Sequence, residues 1–169
     1  MNSRLIFSIV LLLAAASPAL AQSAPAPAAV RALLSATKTI TVFDYVSATS
    51  ADGVVTLEGA VTSRAKREQI ETEVATAPGV RQIVNRLTVL NTSPGDEDLR
   101  RRVARAIYGH PSFRAYAAMS QPPIRVLVDG GRVTLAGEVR TTVERLVARS
   151  IAESESNRQV ADDLSVTGR

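Results

Sequence analysis

One short block occurs twice in this sequence. The first copy, DGVVTLEGAV, covers residues 52–61, and the second, DGGRVTLAGEV, covers residues 129–139. Both copies contain the pattern V-T-L-x-G-x-V in the same frame, so that Gly59 matches Gly137. A charged amphipathic segment and a short apolar strand follow each block. A repeat of this kind predicts two copies of one small domain and argues against a single enzyme core.

The N-terminal 21 residues have the three parts of a secretory signal. Arg4 precedes an apolar run from Leu5 to Ala16, and residues 17–21 end in Ala-x-Ala, which predicts cleavage before Gln22. The run is shorter than the roughly 20 apolar residues that a membrane-spanning helix needs. The sequence contains no cysteine, and therefore neither a disulfide framework nor a lipid-attachment cysteine. We expect a periplasmic protein that is not a lipoprotein.

The composition disfavours several classes of function. The formal net charge is only +4, Trp is absent and aromatic residues make up 4% of the chain. Nucleic-acid-binding domains usually combine a strongly basic face with aromatic stacking platforms, so we expect no nucleic-acid partner. The single histidine, His110, has no second His or Cys with which to form a zinc site, and no nucleophile-elbow or phosphate-loop pattern occurs. We predict a non-enzyme without catalytic residues, cofactor or metal.

In the first copy, the signals for turns, strands and a helix follow one another in order. Asp52-Gly53 favours a tight hairpin between strands at 45–50 and 54–61. Apolar residues then recur at helical spacing until Pro78-Gly79, which ends the helix, and residues 80–90 form a last strand. A short helix at 30–35 precedes these elements.

The second copy repeats this order behind a longer first helix. Acidic residues at 96–98 stand at the start of that helix, where the helix dipole favours negative charge. A glycine turn at 129–131 joins two strands, and Thr141 with Glu144 forms a capping box for a second helix. The last strand contains Val160, Leu164 and Val166. The residues of the second helix at apolar spacing are Val143, Leu146, Val147, Ser150 and Ile151.

These elements predict an α+β fold of two tandem αββαβ domains. In each, the hairpin makes the first two strands antiparallel, and the crossover helix makes the third strand parallel to the second. Each domain is thus a three-stranded mixed sheet with helices on one face, and we expect the two small domains to pack against each other. The predicted organisation is a signal peptide at 1–21, a flexible leader at 22–29, a first domain at 30–90, a linker at 91–95 and a second domain at 96–169.

The segments DGVVTLEGAV and PGVRQIVNRLTV resemble the BON domain of bacterial osmotically inducible periplasmic proteins. The resemblance covers residues 30–169 and departs at 155–158, where Glu-Ser-Asn-Arg replaces the expected Gly-Val turn. It implies non-catalytic domains that associate with phospholipid membranes and support the cell envelope under osmotic or envelope stress. The glycines assigned to structural turn and core positions are Gly53, Gly59, Gly79, Gly131 and Gly137.

An arginine-rich helix face in the second domain is the candidate site for anionic phospholipid. Residues 101, 105 and 108 align on one face, and the alternative interpretation is a solvated face paired with the acidic residues at 96–98. Each Arg near an anionic surface contributes about 1 kcal/mol, so three or four alone would give only about millimolar binding. Stable attachment would need Tyr108 or apolar residues of the following loop to insert into the membrane, or several copies of the protein to act together. The candidate lipid-binding residues are Arg100, Arg101, Arg102, Arg105, Tyr108, Arg145 and Arg149.

A second hypothesis is a protein-interaction module that docks an envelope partner. It would use either the loop at 108–123 or an open sheet edge. The candidate partner-binding residues of the loop are Phe113, Tyr116 and Met119, although the same loop would also suit packing between the two domains. Salt separates the hypotheses, because binding to a charged lipid surface weakens steeply with salt and an apolar contact does not. No pattern in the sequence specifies an oligomeric state.

Overall fold

A computed structural model describes residues 26–168, so the predicted signal peptide lies outside the described part. The first unit contains α1 (Ala26–Ala36), β1 (Tyr45–Ala51), β2 (Val54–Val61), α2 (Arg64–Ala75), β3 (Gln82–Asn85) and β4 (Thr88–Val89). The second contains α3 (Pro94–Gly109), a 3₁₀ turn (Pro111–Phe113), α4 (Arg114–Ala117), β5 (Ile124–Asp129), β6 (Arg132–Val139), α5 (Thr142–Ser156) and β7 (Ala161–Val166).

Each unit forms the mixed sheet that the sequence predicts. β1 pairs with β2 and β5 with β6 in antiparallel fashion, whereas β3 and β7 run parallel to β2 and β6. The predicted strand at 80–90 is divided into β3 and β4, which both pair with β2. It is interrupted because the side chain of Asn85 accepts a hydrogen bond from the Leu87 N–H at 3.1 Å, in place of a strand partner. The tandem αββαβ prediction is confirmed.

The helix boundaries follow from local capping, with one difference from expectation. Ser63 and Thr141 each accept a hydrogen bond from the backbone N–H of the third residue after them, and the cap at Thr141 is the predicted one. α1 begins at Ala26, so the predicted flexible leader at 22–29 was too long by at least four residues. The atypical segment 155–158 is helical up to Ser156. Asn157 then ends α5, because it takes the left-handed conformation (φ 52°) that glycine usually adopts there.

In each unit, the hydrophobic core lies between the sheet and the helices that cover one of its faces. In the first unit, Val30 of α1 is almost completely buried against residues of β2 and α2, which confirms a helix before β1. In the second unit, α3 and α5 pack beside each other over β5 and β6. The largest fully buried side chains are Phe113, Leu57, Ile70, Ile107, Ile124 and Leu135.

The two units also contact each other, as expected for two small domains. Ala60 of the first sheet packs with Leu127 and Ala136 on the helix-free face of the second. The N–H of Val126 donates to the carbonyl of Val42 at 2.8 Å, so the segment before β1 contacts the outer edge of β5. This hydrogen bond connects the first domain to the second.

Candidate functional site

The candidate lipid surface is formed by the outward faces of α3 and α5, and we call it the α3–α5 surface. On α3, Leu99, Val103 and Ile107 are directed into the core. Because residues about two positions away lie on the opposite side of a helix, Arg101 and Arg105 point to solvent. Arg102 is also exposed. Three of the seven predicted residues therefore stand together on one exposed helix face.

These three arginines differ in whether their charge is already neutralised. Arg101 donates to Glu97 at 3.4 Å and to Asp98, and the hydrogen bond to Asp98 raises the pKa of its guanidinium. Among the described residues, Arg102 and Arg105 make neither a salt bridge nor a side-chain hydrogen bond. The interpretation of a face paired with acidic residues thus holds for Arg101, whereas Arg102 and Arg105 present unpaired cations.

Arg100 does not belong to the surface. Its side chain is buried, and its Nη2 donates to the carbonyls of Val128, at 2.6 Å, and of Asn91. It joins the linker between the domains to the edge of β5. The prediction of a lipid contact by Arg100 was wrong, because the residue lies on the flank of α3 that packs against β5.

The side chain of Tyr108 is also engaged within the second domain. Its hydroxyl donates to the carbonyl of Ile124, and burial raises the pKa of this hydroxyl well above its ordinary value. The ring is half-buried and packs against the second core, so it does not stand out for insertion into a bilayer. Arg145 and Arg149 on α5 are partly exposed, and each is paired, with Asp162 and Glu153 respectively, both at 2.9 Å.

The loop at 108–123 is largely part of the core rather than a docking surface. Phe113 and Tyr116 are buried in the second domain's own core, not between the two domains. The Tyr116 hydroxyl donates to Glu144 at 2.7 Å, which fastens the loop to the start of α5. The structure therefore removes Phe113 and Tyr116 as partner contacts, and Met119, 48% exposed, is left at the surface.

Two exposed apolar residues on α5 were not among the predicted site residues. Val143 is 69% exposed and Leu146 is 58% exposed, although their spacing suggested a place in the core. The completely buried positions of α5 are Ala148 and Ala152. These two small residues, four apart, let the helix approach the sheet closely. Their spacing is the sequence signal that would have placed Val143 and Leu146 on the outer side.

The predicted glycines lie in turns or at close backbone contacts. Gly53 and Gly131 occupy hairpin turns with positive φ, and Gly79 has positive φ after α2. Gly59 and Gly137 are in the second strand of each hairpin. A Cβ would lie 2.1 Å from the carbonyl oxygen of Tyr45 and of Pro123, respectively, the residue before the one opposite. None of these glycines contributes a functional group. Four of them permit the hairpins, and Gly79 permits the turn after α2.

Over residues 26–168, no helix is long and apolar enough to cross a membrane. The same span contains no group of three His, Asp or Glu side chains arranged to hold a metal ion. His110 has a structural contact, since its Nδ1 accepts the N–H of Ser112 at 3.3 Å. The remaining candidate site is the α3–α5 surface, which exposes basic and apolar side chains.

Comparison with protein-family models agrees with the repeat and with two tandem domains. No curated protein matches the sequence. One similar solved structure is the C-terminal domain of CdsD, the structural protein of the type III secretion system of Chlamydia trachomatis, with 10% identity and a TM-score of 0.32. The match covers 82% of this chain and 63% of that one. The model of the BON domain family matches twice, at residues 26–91 and 95–168, and the protein therefore belongs to the BON domain family, with two tandem copies of the domain.

Proposed function

We propose that this protein is a non-catalytic periplasmic protein that associates peripherally with anionic phospholipid and supports the envelope under osmotic or envelope stress. The observation that carries the proposal is the α3–α5 surface. Arg102 and Arg105, which form no salt bridge among the described residues, are exposed on α3, and the apolar side chains Val143 and Leu146 are exposed on α5, the helix that packs beside it. Periplasmic location rests on the three-part signal of the first 21 residues.

The energetics require both parts of the surface. Two unpaired arginines near an anionic membrane contribute about 1 kcal/mol each. Val143 and Leu146 are more than half exposed, so their transfer into the interface adds about 1–2 kcal/mol each. The total, about 4–6 kcal/mol, corresponds to dissociation constants from about millimolar to tens of micromolar. Charge alone would leave the protein unbound under most conditions, and the apolar pair makes association measurable.

Co-sedimentation with vesicles tests this proposal. We expect the mature protein to sediment with phosphatidylglycerol vesicles and not with phosphatidylcholine vesicles, and to bind less as salt is raised. The double variant Arg102→Gln/Arg105→Gln should bind about thirtyfold more weakly, because about 2 kcal/mol of attraction is removed. Val143→Ser/Leu146→Ser should lose binding at physiological salt and retain a weak, salt-sensitive remainder.

The matched control is Arg64→Gln/Arg132→Gln, which removes the same charge from two exposed arginines outside the α3–α5 surface. This control should bind like the unaltered protein, apart from a small change due to net charge. Equal loss in the control and in the Arg102/Arg105 variant would show attraction by net charge without a defined surface. Absence of sedimentation with phosphatidylglycerol at low salt would refute direct lipid association.

A further inference from the structure

The first strand of each hairpin lies at a sheet edge, and every second residue directs its backbone N–H and C=O away from the sheet. In a hairpin with a two-residue turn, the pair flanking the turn is hydrogen-bonded. That pair is Ala51–Val54 in the first domain and Asp129–Arg132 in the second. The outward-facing residues are consequently Val46, Ala48 and Ser50 of β1 and Ile124, Val126 and Val128 of β5.

In the second domain, this outer edge is closed at three successive positions. The carbonyl of Ile124 accepts the hydroxyl of Tyr108, and the carbonyl of Val128 accepts Nη2 of Arg100. Between them, the N–H of Val126 donates to the carbonyl of Val42. Two side chains of α3 and one carbonyl of the first domain thus bind outward backbone groups of β5. These contacts leave no room for a further strand at this edge.

In the first domain, the equivalent edge is open. Within residues 26–168, no side chain or backbone group hydrogen-bonds to the outward N–H and C=O groups of Val46, Ala48 and Ser50. α1 has 11 residues where α3 has 16, and no described residue hydrogen-bonds to the strand as Tyr108 and Arg100 do in the second domain. β1 reads YVSATSA, without charge or proline, the residues by which natural proteins usually protect an edge from pairing.

A groove of about 490 Å³ runs along the first half of this open edge. Leu34 and Ile40 form an apolar wall on the side of the first domain. Pro123, Arg125 and Glu138 line the side of the second. Arg125 donates to Gln121 Oε1 and to the carbonyl of Thr41, both uncharged acceptors. Burial lowers the pKa of Arg125, and the charge of Asp44 acts in the opposite direction, although no described carboxylate forms a salt bridge with Arg125. The groove therefore combines unpaired strand groups, apolar walls and an arginine that forms no salt bridge with any described residue.

We propose that β1 binds the C-terminal segment of a partner protein as an added antiparallel strand, with the terminal carboxylate of that segment paired to Arg125. The direction follows from the geometry, because Arg125 lies at the end of the groove where β1 begins. A strand antiparallel to β1 has its carboxyl end there. Backbone pairing gives affinity in this mode of recognition, and the pockets beside it give specificity. The site is separate from the α3–α5 surface and does not depend on lipid binding.

Selection from a random eight-residue peptide library with free C-terminal carboxylates provides the probe, followed by fluorescence polarisation with the selected peptides. We expect amidation of the C terminus to weaken binding about tenfold, the effect of one charge-assisted contact. In Arg125→Gln, carboxylate and amide forms should bind equally. Ala48→Pro removes one outward N–H, which an edge strand tolerates, and should abolish binding of both forms.

If Ala48→Pro does not fold, hydrogen exchange of the Ala48 amide in the unaltered protein tests the same strand pairing. Peptide binding to the unaltered protein should slow this exchange. The proposal is overturned if no peptide is selected, if the selected peptides leave the Ala48 amide unprotected, or if Ala48→Pro binds them normally. Concentration-dependent protection of Ala48 without peptide would instead assign the edge to a second copy of the chain. Vesicle binding by Ala48→Pro should be unchanged, which separates this site from the lipid surface.

Discussion

Gly59→Ala is expected to destabilise the first domain by about 4 kcal/mol, near the upper limit of what single substitutions do. Gly59 has a φ of +125°, which residues with a side chain rarely adopt, and a Cβ would lie 2.1 Å from the carbonyl oxygen of Tyr45. Strain of this kind costs about 1–3 kcal/mol, and the clash adds to it, because backbone cannot rotate aside as a side chain can. The hairpin between β1 and β2 would have to separate locally.

Thermal unfolding followed by circular dichroism measures this effect. For a domain of this size, a loss of about 4 kcal/mol lowers the midpoint by about 16–30 °C. Gly95→Ala is the matched control, since nothing lies within 4 Å of a Cβ at that position and its φ is not positive. A Gly59→Ala midpoint within a few degrees of the control would contradict the prediction. Gly137→Ala should repeat the loss in the second domain, where the oxygen of Pro123 is equally close.

Gly59 and Gly137 explain why the repeat was enough to predict the two hairpins. V-T-L-x-G-x-V combines alternating core residues with the one residue type that permits close approach of the preceding strand. Such patterns are local, and they specify the hairpins and the following helices. The division of the strand at 80–90 was missed, because it depends on a hydrogen bond from Leu87 to the side chain of Asn85, for which hydrophobic periodicity gives no signal.

The candidate site was less predictable, because the exposed face of a helix depends on what packs against its flanks. Arg100 and Tyr108 are charged and polar, yet they stand on the flank of α3 that meets the edge of β5. Val143 and Leu146 are apolar, yet they lie outside because Ala148 and Ala152 face the sheet. Helical spacing alone cannot distinguish the covered flank of a helix from the open one. The neighbour that covers it comes from a distant part of the chain.

Asp44→Asn is expected to remove about 3 kcal/mol of folding free energy at pH 7, the lower part of the range for breaking a buried ion pair. The Asp44 carboxylate is completely buried and accepts hydrogen bonds from the backbone and side chains of Thr41 and Thr62, at 2.7–2.9 Å. It also pairs with Lys66 at 2.5 Å. An amide would turn two of its own donor hydrogens toward these donors, and Lys66, 25% exposed, would lose its counter-ion.

The same carboxylate makes stability depend on pH. Burial alone would raise the pKa of Asp44, but the hydrogen bonds from Lys66, Thr41 and Thr62 outweigh it and hold the pKa below its ordinary value of 3.8. A folded-state pKa below the unfolded one stabilises the protein above the unfolded pKa. This stabilisation is lost as the pH falls below about 4 toward the lower, folded-state pKa, because the unfolded chain takes up the proton first.

Urea unfolding at pH 7 and at steps from pH 5 to pH 2 measures both effects. The unaltered protein should lose free energy of unfolding steeply below about pH 4, whereas Asp44→Asn should start lower and show a shallower slope over that interval. Asp52→Asn is the control, because it makes the same chemical change at an exposed carboxylate in the hairpin turn. Parallel curves for the unaltered protein and Asp44→Asn would show that Asp44 does not carry the acid dependence. The contact between the segment before β1 and the start of α2 would then be stabilised by packing and not by the charge of Asp44.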